Sequence, residues 1–251
     1  MTHRKLIVAV EGPCCAGKTT LSRGLLQQLT DLPVAHVVCY ADHAGGGRHL
    51  PRPIPDTLAE DATGLAELIR IERDRTRPAL TSTSRVILAD RGLHTLLAHR
   101  HAIGRLTSLA FLASAERLLA ASHLTSWPEL ILYLDVPQEA VHDRNHGKFP
   151  ADSIFINPDY NEAFRRHFAG LASRPPPPHV VWLDATCDPA TLVSIAAAQI
   201  RHLLPDHDEE DSQGVDPTAA VGAGHLRRLA RRAVPGPVLD VHSGQRHPPT
   251  T

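Results

Sequence analysis

The sequence predicts an α/β protein in which a five-stranded parallel sheet is flanked by helices and followed by a disordered C-terminal tail. Three observations carry this expectation. Five short runs rich in Val, Ile and Leu recur between residues 6 and 184, stretches of helical periodicity separate them, and from about Pro205 the composition turns acidic and then rich in Gly, Pro, Ala and Ser. Near-continuous apolar runs suit strands covered on both faces, as in a parallel sheet. Strand alternating with helix implies right-handed crossovers in one layered domain.

In chain order, the strand runs are Leu6–Glu11, Val34–Tyr40, Arg85–Asp90, Glu129–Asp135 and His179–Asp184. Helical patterns cover Thr19–Leu29, Thr57–Arg77, Leu93–Ala102, Ser108–Leu124, Asp159–Ala172 and Pro189–Leu204. Ligands of such sheets lie at the carboxyl ends of the strands, which gathers Glu11, Asp42, Asp90, Asp135 and Asp184 near one edge. Two stretches read as long irregular loops: Ala41–Pro55, with three consecutive Gly and three Pro, and residues 145–158. Pro175–Pro178 reads as a stiff spacer before the fifth strand. The division is therefore a domain over 1–204 and a low-complexity tail over 205–251. Within the tail, His225–Val234 is a basic amphipathic segment too short to be a stable helix alone.

Composition narrows the function classes. The 251 residues carry a formal net charge of −1, so no global field draws the chain toward nucleic acid or membrane. Only five apolar residues follow the charged N-terminus before Glu11, and no run reaches membrane-spanning length, so a soluble, cytoplasmic protein is expected. Cys14, Cys15, Cys39 and Cys187 lack metal-ligand spacing and read as free thiols, and the 17 His form no metal-binding array. Lys occurs only at positions 5, 18 and 148, which singles out Lys18.

Lys18 belongs to the strongest motif in the chain. Gly12-Pro13-Cys14-Cys15-Ala16-Gly17-Lys18-Thr19, continued by Thr20, satisfies G-x-x-x-x-G-K-[ST] between a strand pattern and a helix pattern. The two glycines let successive backbone N–H groups converge on phosphate oxygens. The next helix points its positive end at the same anion. Lys18 is expected to reach the β- and γ-phosphates, and the Thr19 hydroxyl to ligate magnesium. The fold expected is thus the P-loop NTPase fold, with ATP and Mg2+ as ligands. No Asn-Lys-x-Asp guanine reader is present, which argues against a GTPase.

Val86–Arg91 delivers a second pair to the same edge. Asp90 can hold magnesium or orient the attacking group, and the Arg91 fork matches phosphate oxygens. Asp42 is the leading general-base candidate for a hydroxyl acceptor, with Glu11 second; an anionic phosphate acceptor needs no base. Arg70, Arg73, Arg75 and Arg77 alternate with Glu72 and Asp74. They read as a solvated, ion-paired helix face, with Arg70 or Arg73 as the member that could face an acceptor.

The order Glu11-Gly12…Gly17-Lys18-Thr19-Thr20, then Asp90-Arg91 with Thr95, then Leu132-Tyr-Leu-Asp-Val-Pro137, resembles the thymidylate kinase and deoxynucleoside kinase superfamily. Arg77-Pro-Ala-Leu80 adds to that likeness, which spans about residues 5–200. The resemblance implies an ATP:acceptor phosphotransferase with Lys18 and Thr19 on the triphosphate and magnesium, and Asp90 and Arg91 at the reacting centre. It further implies a lid carrying Arg144 and Lys148, a donor-adenine loop at Asp184–Thr186, and a small-molecule acceptor, a nucleoside or nucleotide in first place; a homodimer is compatible with it. The chain departs from thymidylate kinases at Cys14, where they carry an acidic residue, and at Tyr40–Arg48, which replaces their acceptor segment. Two alternatives stay open: a kinase for a metabolite or antibiotic hydroxyl, and a nucleotide-binding regulatory protein with decayed kinase activity.

Overall fold

The computed structural model describes residues 4–173 and 177–204. The tail, with its basic segment, and part of the proline spacer lie outside the described residues. Five strands form one parallel sheet: β1 (Leu6–Glu11), β2 (Val34–Val37), β3 (Val86–Asp90), β4 (Leu130–Asp135) and β5 (His179–Asp184). Their spatial order is β2-β3-β1-β4-β5, so β1 lies at the centre between β3 and β4.

Side-chain alternation divides the core into two layers. Val8 and Val10 of β1, Leu88 of β3 and Leu130, Leu132 and Leu134 of β4 turn to one face, against α1 (Lys18–Gln28) and α8 (Pro189–Leu203). The intervening residues serve the opposite face. Ile131 and Tyr133 meet α4 (Leu93–Thr107) and α7 (Pro158–Ala169), while Ile87 and Ala89 meet the end of α3 (Leu58–Thr81). A further helix, α5 (Phe111–Ala121), packs outside α3 and α4 through Ala115 and Leu119. β3 is buried at all five positions, the expected state of a parallel strand covered on both sides.

Several boundaries differ from the sequence reading, each for a local reason. Tyr40 does not extend β2; it opens a short helix, α2 (Tyr40–His43), whose start is capped by the Cys39 sulfur accepting from the Asp42 N–H at 3.5 Å. The loop after it is likewise not wholly irregular, since a 3₁₀ turn occupies Gly47–His49. In the second long loop, Ile154–Ile156 forms another 3₁₀ turn. The six-residue α6 (Gln138–Asp143) is too short to show a period in sequence. α3 runs four residues beyond Arg77 despite Pro78. Lys5 stabilises that overrun, donating to the carbonyls of Ala79 and Leu80 at 3.1 and 2.7 Å and to that of Ser82. A cation on terminal carbonyls also complements the helix dipole.

α1 and α8 approach closely enough that Gly24 has no room for a side chain: a Cβ there would lie 2.4 Å from Val193 Cγ2. Alanine in a helix interior ordinarily gains up to about 1 kcal/mol over glycine. Overpacking costs about 1–3 kcal/mol, so Gly24→Ala is expected to be destabilising. A double-mutant cycle with Val193→Ala, read by denaturant unfolding, should return the lost stability; a stabilising Gly24→Ala would contradict the close packing.

Candidate active site at the carboxyl edge of the sheet

The register of β1 against β3 builds the centre of the site. Val10 pairs with Asp90, so Glu11 and Asp90 leave the sheet side by side, and the loop Gly12–Gly17 rises from the strand between β3 and β4. Gly12 adopts φ 136° and would place a Cβ 2.7 Å from the Leu134 carbonyl oxygen, so conformation and close approach both require glycine. Gly17, at φ 98°, is the N-cap of α1, and Cys15 also lies in the left-handed region at φ 62°. The turn thereby aims the first N–H groups of α1 into the loop, the geometry of an anion cradle.

Lys18 is buried, and its ammonium donates to the carbonyls of Gly12 at 3.1 Å and Pro13. Burial first, and then the Arg91 guanidinium, lower its pKa to about 8; Cys14, Asp90 and Glu11 act in the opposite sense. Thr19 Oγ1 donates to Asp90 Oδ2 at 3.0 Å. A hydroxyl and a carboxylate this close are hard oxygen donors of the kind magnesium takes, with its remaining positions left to water and phosphate. These two residues therefore fit the ion expected of them.

Glu11 is completely buried. Its Oε1 accepts from the Gly92 N–H at 2.8 Å and its Oε2 from the Thr95 hydroxyl. Desolvation raises its pKa, opposed by those two bonds and by Arg91 and Lys18. Both oxygens thus bond the start of α4, and Glu11 braces that helix against the end of β1. Arg91 holds φ 68°, a conformation costing a non-glycine residue about 1–2 kcal/mol. Its N–H bonds Val10 O at 3.1 Å, and its Nη2 reaches Cys14 Sγ at 3.6 Å, which sets the guanidinium over the phosphate loop.

The other expected residues divide. Asp42 is exposed in the first turn of α2. Arg144 closes α6 and donates to Ala185 O at 2.9 Å, tying the end of that helix to the loop after β5. The Lys148 ammonium lies 5.5 Å over the Phe149 ring, and its charge opposes the burial that raises the Cys15 thiol's pKa. Of the four α3 arginines, Arg70 pairs with Glu67 and Asp74, Arg77 with Asp74, and Arg73 donates to Ser122 O, all on the exposed side. The inward member is Arg75, not Arg70 or Arg73. A usable signal exists in sequence: Asp61, Leu65, Leu68, Glu72, Arg75 and Ala79 follow the 3–4 spacing of one helix stripe.

His99 and Tyr160 belong to no motif, yet they shape the same edge. His99 joins Tyr160 OH and the Pro53 carbonyl, each at 2.7 Å, and so anchors the 41–55 loop to α4 and α7. Burial and the neighbouring Arg100 push its pKa down to about 3, so the ring is neutral, donating from Nε2 to Pro53 O and accepting at Nδ1 from Tyr160. Among the described residues, no helix is long and apolar enough to cross a membrane.

Comparison with known proteins agrees with this geometry. No family model matches the chain. The thymidylate kinase of Xanthomonas oryzae pv. oryzae is 31% identical over 218 residues, covering 84% of this chain and 89% of that protein. That of Xanthomonas campestris pv. campestris is 29% identical over 214 residues, covering 82% and 87%, and that of Xylella fastidiosa is 26% identical over 236 residues, covering 90% and 100%. Among solved structures, the deoxyadenosine kinase from M. mycoides, with its products dCMP and a flexible dCDP bound, superposes with a TM-score of 0.55 at 12% identity, covering 79% of this chain and all of that one. The last likeness speaks for the fold alone. With the P-loop, the parallel sheet and a relative this similar along most of both lengths, the chain belongs to the thymidylate kinase family of P-loop nucleotide kinases.

Proposed function

We propose that residues 1–204 form an ATP-dependent nucleoside monophosphate kinase that moves the γ-phosphoryl group to the phosphate of a nucleotide acceptor. The observation that carries the choice of a phosphate acceptor is the state of the two carboxylates at the reacting edge. Glu11 is buried and bonded through both oxygens to Gly92 and Thr95, and Asp90 is bonded by Thr19, which suits bracing and metal binding better than proton abstraction, while Asp42 lies exposed in α2. An already anionic acceptor oxygen needs no base, and the buried cations around the loop match it instead.

In this reading, the backbone of Gly12–Thr20 and Lys18 hold the triphosphate. Thr19 and Asp90 hold magnesium, which would neutralise phosphate charge. Arg91 grips the acceptor phosphate and steadies the charge of the group in transfer, while Arg144 and Lys148 belong to the closing lid. An acceptor phosphate oxygen bonds the γ-phosphorus as the bond to the β-phosphate oxygen breaks, and ADP leaves. Positioning and charge neutralisation supply most of the rate. The soluble, cytoplasmic reading rests on the same enzyme class.

An acceptor panel tests this. Nucleoside monophosphates should stimulate ADP release, and Arg91→Ala should lower that rate about 1000-fold, the scale of a transition-state arginine. Turnover confined to nucleosides, sugars or other alcohols, and lost in Asp42→Asn, would replace the reading with a hydroxyl kinase. Tight ATP binding abolished by Lys18→Ala, without turnover on any acceptor, would indicate a nucleotide-binding regulator.

Lys18 adds a pH test. Phosphate oxygens beside the ammonium favour its charged form, whereas the protein alone lets it discharge near pH 8. Below that pH the lysine is charged before and after binding, so affinity should stay level. Above it, binding must take up a proton, and affinity should fall by as much as about tenfold per pH unit. Calorimetry in buffers of differing ionisation enthalpy would detect the proton directly; a flat affinity up to about pH 9.5 would count against the role of Lys18.

A further inference from the structure

Arg75 is a buried cation whose bonds all go to the frame of the site. Its side chain and that of Glu72 are 0% and 1% exposed and meet at 2.7 Å. The guanidinium lies 3.9 Å over the Tyr40 ring, and Tyr40 in turn donates to Gly92 O at 3.3 Å. Its remaining N–H groups reach three main-chain carbonyls: Val38 at 2.8 Å, just past β2, and Asp90 at 3.5 Å and Arg91 at 2.7 Å, where β3 ends. Glu72 is fixed from behind by the Ser126 hydroxyl at 2.6 Å. A planar fork with five donors can span these acceptors together; an ammonium cannot.

This placement matters because Arg91 is strained. The peptide on its amino side is held by Val10 O, and the one on its carboxyl side by Arg75. Releasing the second tie lets φ leave the left-handed region, and the side chain then swings off Cys14 and the phosphate loop. The same guanidinium grips the strand that leads into the 41–55 loop. One residue on α3 therefore sets the spacing between the acceptor-side loop and the reacting pair.

We propose that Arg75 is a positioning residue for phosphoryl transfer, acting through the Arg91 backbone and touching neither substrate. The inference rests on the kinase reading above and is tested so that the two can fail separately. Arg75→Lys keeps the charge beside Glu72 and the packing on Tyr40 but loses the fork. It should melt within a few degrees of wild type, keep its KM for ATP within threefold, and lose about 100-fold in kcat, the cost of a misplacement near 1 Å. In Arg75→Ala, millimolar guanidinium should restore part of that kcat. Calorimetric binding of a nucleoside monophosphate, with a non-hydrolysable ATP analogue present, should weaken about tenfold in Arg75→Lys. Wild-type kcat and monophosphate affinity in Arg75→Lys would overturn the proposal, as would a loss that tracks melting temperature and resists guanidinium. A wild-type protein that neither binds nor turns over any monophosphate would instead overturn the kinase reading.

Discussion

The pairing of β1 with β3 is the constraint on which the site depends. Because Val10 stands opposite Asp90, the glutamate that ends one strand and the aspartate that ends the other emerge together, and their successors in the chain are placed with them. After Glu11 comes the loop that turns into α1; after Asp90 comes the arginine that turns into α4. Glu11 closes the arrangement by accepting from the first residues of α4, so the loop and the Asp90-Arg91 pair rest on a common buried carboxyl group. A one-residue slip of β1 would send Glu11 to the other face of the sheet and dismantle both.

The site also concentrates positive charge where burial opposes it. Burial and the Arg91 guanidinium disfavour the charged form of Lys18, and Cys14, Asp90 and Glu11 compensate only in part, whereas the same three groups hold Arg91 firmly charged. A polyanion relieves such an arrangement, which is the electrostatic reason the cluster suits phosphates. Arg75 acts differently: its charge is matched by Glu72 and its donors are occupied by backbone, so it contributes shape rather than field. Under the proposed reaction, two arginines sixteen residues apart would act in unlike ways, Arg91 on a ligand and Arg75 on the backbone that carries it.

How much of this could be read beforehand depended on range. The strands Leu6–Glu11 and His179–Asp184 were legible to the residue, because apolar runs bounded by charge are local signals. The phosphate loop was legible because its glycines answer to backbone geometry. Tyr40 reads as strand because an aromatic residue closing the run Val37-Val38-Cys39 suits a strand equally well; its place in α2 is supported by Arg75 and Gly92, distant in sequence. Arg75 itself was hidden among similar neighbours, since charge pattern does not tell which arginine the helix turns inward. Glu11 was visible as an acid but not as a strut, because its partners lie more than eighty residues away.

The close passage of Gly12 over Leu134 has a mechanical consequence. With only hydrogen between the turn and the β4 carbonyl, the loop sits on that strand as on a hard anvil. β4 continues through Asp135, where Arg165 grips it with two bonds, into α6, whose end is pinned by Arg144 to Ala185. The phosphate cradle and the end of α6 therefore share one stiff footing, so under the proposed kinase reading any closing segment would have to hinge beyond Arg144.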